Sequence, residues 1–256
     1  MLETQVKNNY IITTLVGVLG LLIAITYNTA FQKGFFTCQK YILNTYLYIL
    51  MALVLISLEV LTFDHYKINL DKYIGGGWLS FVIILVVVIG LLMLTMMVNP
   101  RNVLLKHLYW LLLVMAFGFI SFPAYKISKG NNTLPAVLLS LVGILVVFTS
   151  VAFIRPDFIS LSWGPILFFL LLGVIITYLV FLATLKKRKP DENMKFVKGI
   201  SYFIIVLFIF FILYDTKQIM MAAKKCKTMT ADYINQSLGV VLDALNIFMS
   251  LVNVYN

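Results

Sequence analysis

The 256-residue chain is 62% hydrophobic and only 12% charged, with a mean hydropathy of +0.99, which excludes a water-soluble domain and makes lipid its solvent. The formal charge of +10 does not call for nucleic acid, because the 20 Lys and Arg lie almost wholly between apolar runs, where cations favour anionic headgroups. Cys38 and Cys226, both in polar connections, have no metal-ligand spacing and cannot define a disulfide framework, so both read as unpaired thiols.

A helix needs roughly 20 apolar residues to cross about 30 Å of hydrocarbon. Eight runs meet that length, near 10–31, 41–63, 76–98, 105–125, 134–154, 161–185, 197–223 and 233–255. The first exceeds the usual 7–15 residue core of a signal sequence and carries only Lys7 against Glu3 on its flank, so it reads as a retained span. "NPRN" at 99–102, "KGNNT" at 129–133, "RPD" at 155–157 and "KKRKPDEN" at 186–193 punctuate the runs as helix-ending connections do. Continuous runs of this length exclude the alternating ten-residue segments of a transmembrane barrel.

Counted by alternate connections, 11 Lys and Arg fall on the side of the N-terminus and 9 on the other, so positive-inside bias does not decide orientation. The "NNT" at Asn131 matches a glycosylation acceptor and favours a lumenal loop after the fourth span. Glu59, near the end of its run, is expected to reach the interface or Lys67. Met93, Met96 and Met97 fill gaps, and Trp78, Trp110 and Trp163 form an interfacial aromatic belt. His65 and His107, the only histidines, sit near span ends as interfacial side chains. Without a serine–histidine pair, histidine box or metal cluster, nothing in the chain supports an enzyme. "GGG" at 75–77 lies at a span end, not at a matching helix break of a transporter.

The last run, "YINQSLGVVLDALNIFMSLVNVYN", carries a polar seam. Gln236, Gly239, Asp243, Asn246, Ser250 and Asn253 recur at alternating steps of 3 and 4, which puts all six on one helix face. That face belongs inside a bundle, against other helices or a hydrated cavity. Gln236, Asn246, Ser250 and Asn253 read as interhelical hydrogen-bonding groups. Asp243 differs, because packing alone cannot satisfy a carboxylate. Asp215, in "FILYDTKQIM" of the preceding run, shares a face with Gln218 but not with Lys217. If the last two runs are antiparallel neighbours, the two acids lie at similar depths.

Tyr214, Asp215 and Thr216, followed by Asp243, Asn246 and Phe248, resemble the last two helices of the Bax inhibitor-1 family, the transmembrane Bax-inhibitor motif or lifeguard-like proteins. "LPAVLLSLVGILVVFTSVAFIRPDFISLSWG" is similar to the middle helices of that family. The resemblance implies an all-α polytopic membrane protein: a seven-helix bundle over 41–256 with a central C-terminal helix, preceded by one extra transmembrane segment and its loop over 1–40. It further implies that Asp215 and Asp243 form a proton-sensing pair, with Arg101 in the place of a latching arginine. The protein would leak calcium from an internal store, the endoplasmic reticulum or Golgi, and restrain cell death. The family topology would place "KKRKPDENMK" on the lumenal side.

Two adjacent carboxyls cannot both ionise cheaply in a low dielectric, so they are expected to share a proton and to ligate Ca²⁺ transiently during permeation. Membrane lipids, Ca²⁺ and H⁺ are the expected partners, together with apoptosis-regulating membrane proteins, and no resident cofactor is implied. The alternative is a non-conducting membrane protein that regulates apoptosis through protein partners.

Overall fold

The computed structural model describes residues 2–68, 78–184, 189–228 and 230–256, with side chains from 9 to 68 and from 83 onward within those limits. The "GGG" run, the basic residues 186–188 and the side chain of Trp78 lie outside the described residues. Eight long helices account for most of the rest: α1 (Leu2–Ala30), α2 (Tyr41–His65), α3 (Trp78–Met97), α4 (Val103–Gly130), α5 (Leu134–Ile154), α6 (Trp163–Thr184), α7 (Pro190–Lys225) and α8 (Tyr233–Tyr255). Hydrocarbon offers the backbone no partner, so each apolar run closes its hydrogen bonds on itself. The chain is an all-α polytopic membrane protein. Leu139, Val146 and Ile154 of α5 and Phe169, Ile176 and Val180 of α6 project away from the protein, as lipid-facing side chains do.

α7 begins earlier than the sequence indicates. The segment 190–193, taken above as part of a connection, forms the first turn, with Pro190 at its start and Asp191 and Glu192 beside the positive helix end. Lys224 and Lys225 complement the opposite end. At 1.5 Å per residue, its 36 residues reach about 54 Å, beyond the hydrocarbon alone. Among the seven helices whose described residues are long and apolar enough to cross a membrane, α8 is the most enclosed, with 67% of its apolar stretch buried against 39% or less, and α1 is the least, at 6%.

The helices are divided between two compact units, residues 1–123 with 222–238, and residues 124–221 with 239–256. In the first, α1 packs along α2, with Thr29 Oγ1 donating to Asn44 Oδ1 at 2.6 Å. A short antiparallel hairpin follows, pairing Phe31 with Phe36 and Gln32 with Phe35. Lys33 and Gly34 make its two-residue turn with φ of 51° and 80°, the left-handed pair such a turn requires.

Reading Cys38 and Cys226 as unpaired thiols is overturned, because they form a disulfide across 188 residues of sequence. Nothing local in the sequence brings the hairpin connection to the end of α7, so the pairing leaves no signal there. Tyr233 strengthens the same junction by donating its hydroxyl to Thr37 O and accepting from Asn44 Nδ2. Phe36, Tyr41 and Tyr48 pack around the Tyr233 ring.

Two expectations of interfacial side chains also fail. Trp110 is only 4% exposed and meets Tyr48 edge-on, so it belongs to the core and not to a belt. His107 is half-buried among Phe31, Phe36, Tyr48 and Trp110. Its Nδ1 faces Val103 O at 2.7 Å and must donate there, which leaves Nε2 to accept from Tyr48 Oη, also at 2.7 Å, in the neutral ring.

The strongest polar knot of this unit was not singled out from sequence. Lys106, fully buried in α4, donates to Thr95 O at 2.7 Å and Val98 O at 3.2 Å at the end of α3, and to Asn235 Oδ1 at 2.8 Å on α8. It also pairs with Asp232 Oδ2 at 2.9 Å. Asp232 meanwhile caps α8, its Oδ1 accepting from Asn235 N at 3.0 Å. Burial leaves the Asp232 pKa above the ordinary carboxylate value, against the opposing pull of the Asn235 amide and the Lys106 ammonium.

In the second unit, Ala152, Ile159 and Leu213 form a core cluster flanked by Phe148 and Trp163. Trp163 meets Phe158 and Phe210 edge-on and is only partly exposed. Lys217 donates to Pro156 O at 2.8 Å, tying α7 to the α5–α6 connection.

Two substitutions test this frame. Lys106→Ala should destabilise the purified protein by about 3–5 kcal/mol, because it strips Asp232 of its ion partner inside the protein. Cys226→Ser should lose a further increment of about 2–4 kcal/mol, checked as a fall in detergent Tm that reductant reproduces in the wild type and not in the variant.

Candidate functional site: a carboxyl pair on α7 and α8

Asp215 lies ten residues before the end of α7 at Lys225, and Asp243 ten residues after the start of α8 at Tyr233. Each is therefore about 15 Å along its helix from the turn that joins them. The seam of α8 supplies the space for contact. Gly239 stands one turn before Asp243 on the same face, and the Asp215 carboxyl rests over its backbone, so that an added Cβ would fall 2.7 Å from the Asp215 Cγ. Only glycine admits so close an approach.

From there the Asp215 carboxyl comes within hydrogen-bonding reach of that of Asp243. Asp243 is 3% exposed, and among the described residues no group outside the pair donates to its buried Oδ2. A carboxylate has no hydrogen to give, so a bond between two carboxyls requires at least one proton between them. The surroundings hold Asp215 in this direction. Lys217 is turned to Pro156, and Thr216 is fully buried. Tyr214 packs over the backbone of Gly164 in α6, where its Oη accepts from Gln218 Nε2 at 2.8 Å. The "YDTKQ" stretch thus sends tyrosine and lysine to other partners and leaves the aspartate facing α8.

The other seam residues have varied surroundings. Asn246 Nδ2 donates to Leu242 O of its own helix at 2.8 Å, and Asn253 Nδ2 reaches Ser201 Oγ on α7 at 3.3 Å. Ser250 is buried and Gln236 half-buried. The seam is not the only covered face, because Val240, Val241, Leu245, Ile247 and Leu251 are buried as well. Sequence periodicity located the polar stripe but could not show that the apolar faces of α8 are enclosed too.

Arg101, in the α3–α4 turn, is exposed, with its backbone N–H held by Asn99 Oδ1 at 2.9 Å. Its side chain lines a cavity of about 590 Å³ with Phe35, Phe36, Lys227 and Thr228. Glu59 is half-buried, and its carboxyl turns onto the backbone of Gly118 in α4, where an added Cβ would lie 2.6 Å from Cδ. Among the described residues, no group of three or more His, Cys, Asp or Glu is placed to hold a metal ion.

Residues 38–256 match the family model described as Bax1-I, Inhibitor of apoptosis-promoting Bax1. The chain belongs to the Bax inhibitor-1 family. It is accordingly a multi-pass membrane protein of a family linked to the inhibition of apoptosis. Helices α2 to α8 fall within the matched residues, and α1 lies outside them. No curated protein and no solved structure matches the chain. In this Bax-inhibitor chain Asp243 is the carboxyl, among the described residues, that combines burial with an unpartnered oxygen, a condition the Trp110 indole N–H and Asn193 Oδ1 share.

The close approach at Gly239 can be tested directly. Gly239→Ala should displace the Asp215 carboxyl and cost about 1–3 kcal/mol by overpacking. Infrared difference spectra should then show the protonated-carboxyl band shifted, whereas an unchanged band and Tm would refute the packing described.

Proposed function

We propose that this Bax-inhibitor protein is a pH-sensitive calcium-leak pathway of an internal membrane, the endoplasmic reticulum or Golgi, in which Asp215 and Asp243 form the proton sensor and gate. The observation that carries this reading is the contact of two carboxyls on adjacent helices, one of them almost wholly buried, with Asp243 Oδ2 lacking any other donor. A charge at the bilayer centre costs at least about 2.5–3.5 kcal/mol, so such a pair persists at a cost that a purely structural helix contact would avoid.

With two protons the pair is neutral and with one shared proton it carries a single negative charge, and either form holds α7 against α8. Loss of the shared proton leaves adjacent negative charges that no longer bond to each other and must be offset by a cation. Oxygen ligands suit Ca²⁺, but two carboxyls fall well short of the six to eight oxygens it prefers, which fits passage better than storage. Asp215 and Asp243 are therefore transient ligands for a permeant ion, and the protein needs no resident cofactor. Arg101 is the candidate latch for the deprotonated Asp215. Gln236, Asn246, Ser250 and Asn253 extend the polar lining along α8. By moderating store calcium the leak would restrain cell death, alongside apoptosis-regulating membrane proteins as partners.

Purified protein in calcium-loaded liposomes should show efflux that rises several-fold as pH is raised and the pair gives up its proton. Asp215→Asn and Asp243→Asn should each flatten that profile. Arg101→Gln should alter the high-pH arm alone. Efflux no greater than from empty liposomes at every pH would favour a non-conducting regulator that acts through protein partners, and unaltered profiles in both Asn variants would remove the carboxyl pair from the gate.

A further inference from the structure

The membrane orientation left open by charge counting follows from three features that the structure brings into one frame. The first is the Cys38–Cys226 disulfide, which joins the hairpin connection to the segment just after α7. Bonds of this kind form and persist in oxidising compartments and are rare where glutathione and thioredoxin keep thiols reduced.

The second is α7 itself, a single helix from Pro190 to Lys225. Cys226 follows one end, and the sequence Lys186, Lys187, Arg188 and Lys189 precedes the other, with Lys195 and Lys198 in its first turns. A continuous membrane-spanning helix holds its ends on opposite faces, so the disulfide and this cationic segment lie across the bilayer from each other.

The third feature is a charge bias that packing leaves in place. Lys106 and Lys217 on the disulfide side are engaged within the protein, and so are Lys126 and Lys129 on the other, so each face loses two. The excess of two cations stays with the face opposite the disulfide, in the direction that marks the cytosol.

We propose that the loops joined by Cys38–Cys226 face the oxidising, non-cytosolic compartment and that residues 189–198 face the cytosol. This orientation is the reverse of the one the family resemblance implies, and it is independent of whether the protein conducts calcium. In forming the bond, the two thiols lose two protons and two electrons to a disulfide-bearing oxidoreductase of that compartment. α8 starts at the disulfide end and finishes at Asn256, whose Oδ1 accepts from Asn131 Nδ2 at 2.7 Å. The "NNT" acceptor therefore lies on the cytosolic face and stays unmodified, contrary to the lumenal placement that its sequence favours.

The test uses the full chain in sealed microsomes, with a spacer-flanked Asn-X-Thr acceptor inserted either between Lys33 and Gly34 or between Arg188 and Lys189. Glycosidase-sensitive modification of the first insertion only, with none at native Asn131, is the expected result. Modification of the second only, or of native Asn131, overturns the proposal. A second measurement covers insertions that fail to be modified: in a Cys38→Ser, Cys226→Ser background, Lys189→Cys should react with a membrane-impermeant maleimide from the cytosolic side without detergent. Protection until detergent is added overturns the orientation. Wild-type protein denatured without reductant should take up no maleimide and should take up two per chain after reduction; uptake of two before reduction would remove the disulfide and the proposal with it.

Discussion

Hydrocarbon supplies no hydrogen-bond partner, and almost every informative feature of this chain follows from how its polar groups are answered from within. Backbone groups close on themselves in eight long helices. Side chains have no such local solution and must find one another across helices. α8 is where this demand is concentrated, because it is both the most enclosed span and one of the richest in polar residues. Gln236, Asp243, Asn246, Ser250 and Asn253 all lie along it, at different degrees of burial.

Two charged groupings meet the demand in opposite ways. Around Lys106, two carbonyls, an amide oxygen and a carboxylate receive the ammonium, and Asp232 completes its bonding with the first-turn amide of α8. Every strong donor and acceptor there has a partner, and the grouping ties α3, α4 and the start of α8 together. Such saturation describes a fastening. At Asp215 and Asp243 the accounting does not close without a proton, because two acceptors face each other and a buried oxygen has no outside donor. A site whose bonding depends on one exchangeable proton has two states with different charge, and that is the physical content of the gating proposal.

Much of the fold was legible from sequence because hydrophobic runs and their periodicity are local properties. The eight apolar runs reappear as helices, with differences mainly at the ends. α7 starts inside "KKRKPDEN" because Pro190 followed by Asp191 and Glu192 is a helix-start signal, which the charge of the segment masks. Trp110 was assigned to an interfacial belt by its position along a run, yet the tyrosine and histidine that surround it come from α2 and from its own helix in an arrangement no one-dimensional window displays. The role of Lys106 was hidden for the same reason: a lysine near a helix start ordinarily reaches the surface.

By itself the sequence determined the solvent, the helical class, the order of the spans, the polar stripe on α8 and, through the residues around Asp215 and Asp243, the family. Each depends on composition or on spacing within one short stretch. Only the tertiary structure decided that Cys38 bonds to Cys226, that Lys106 is fastened to Asp232, and that Asp215 rests over Gly239 against Asp243. Those pairings join residues from separate elements, and they arise from how helices dock and which side chains are small enough to permit approach, information that the period of a single helix does not contain.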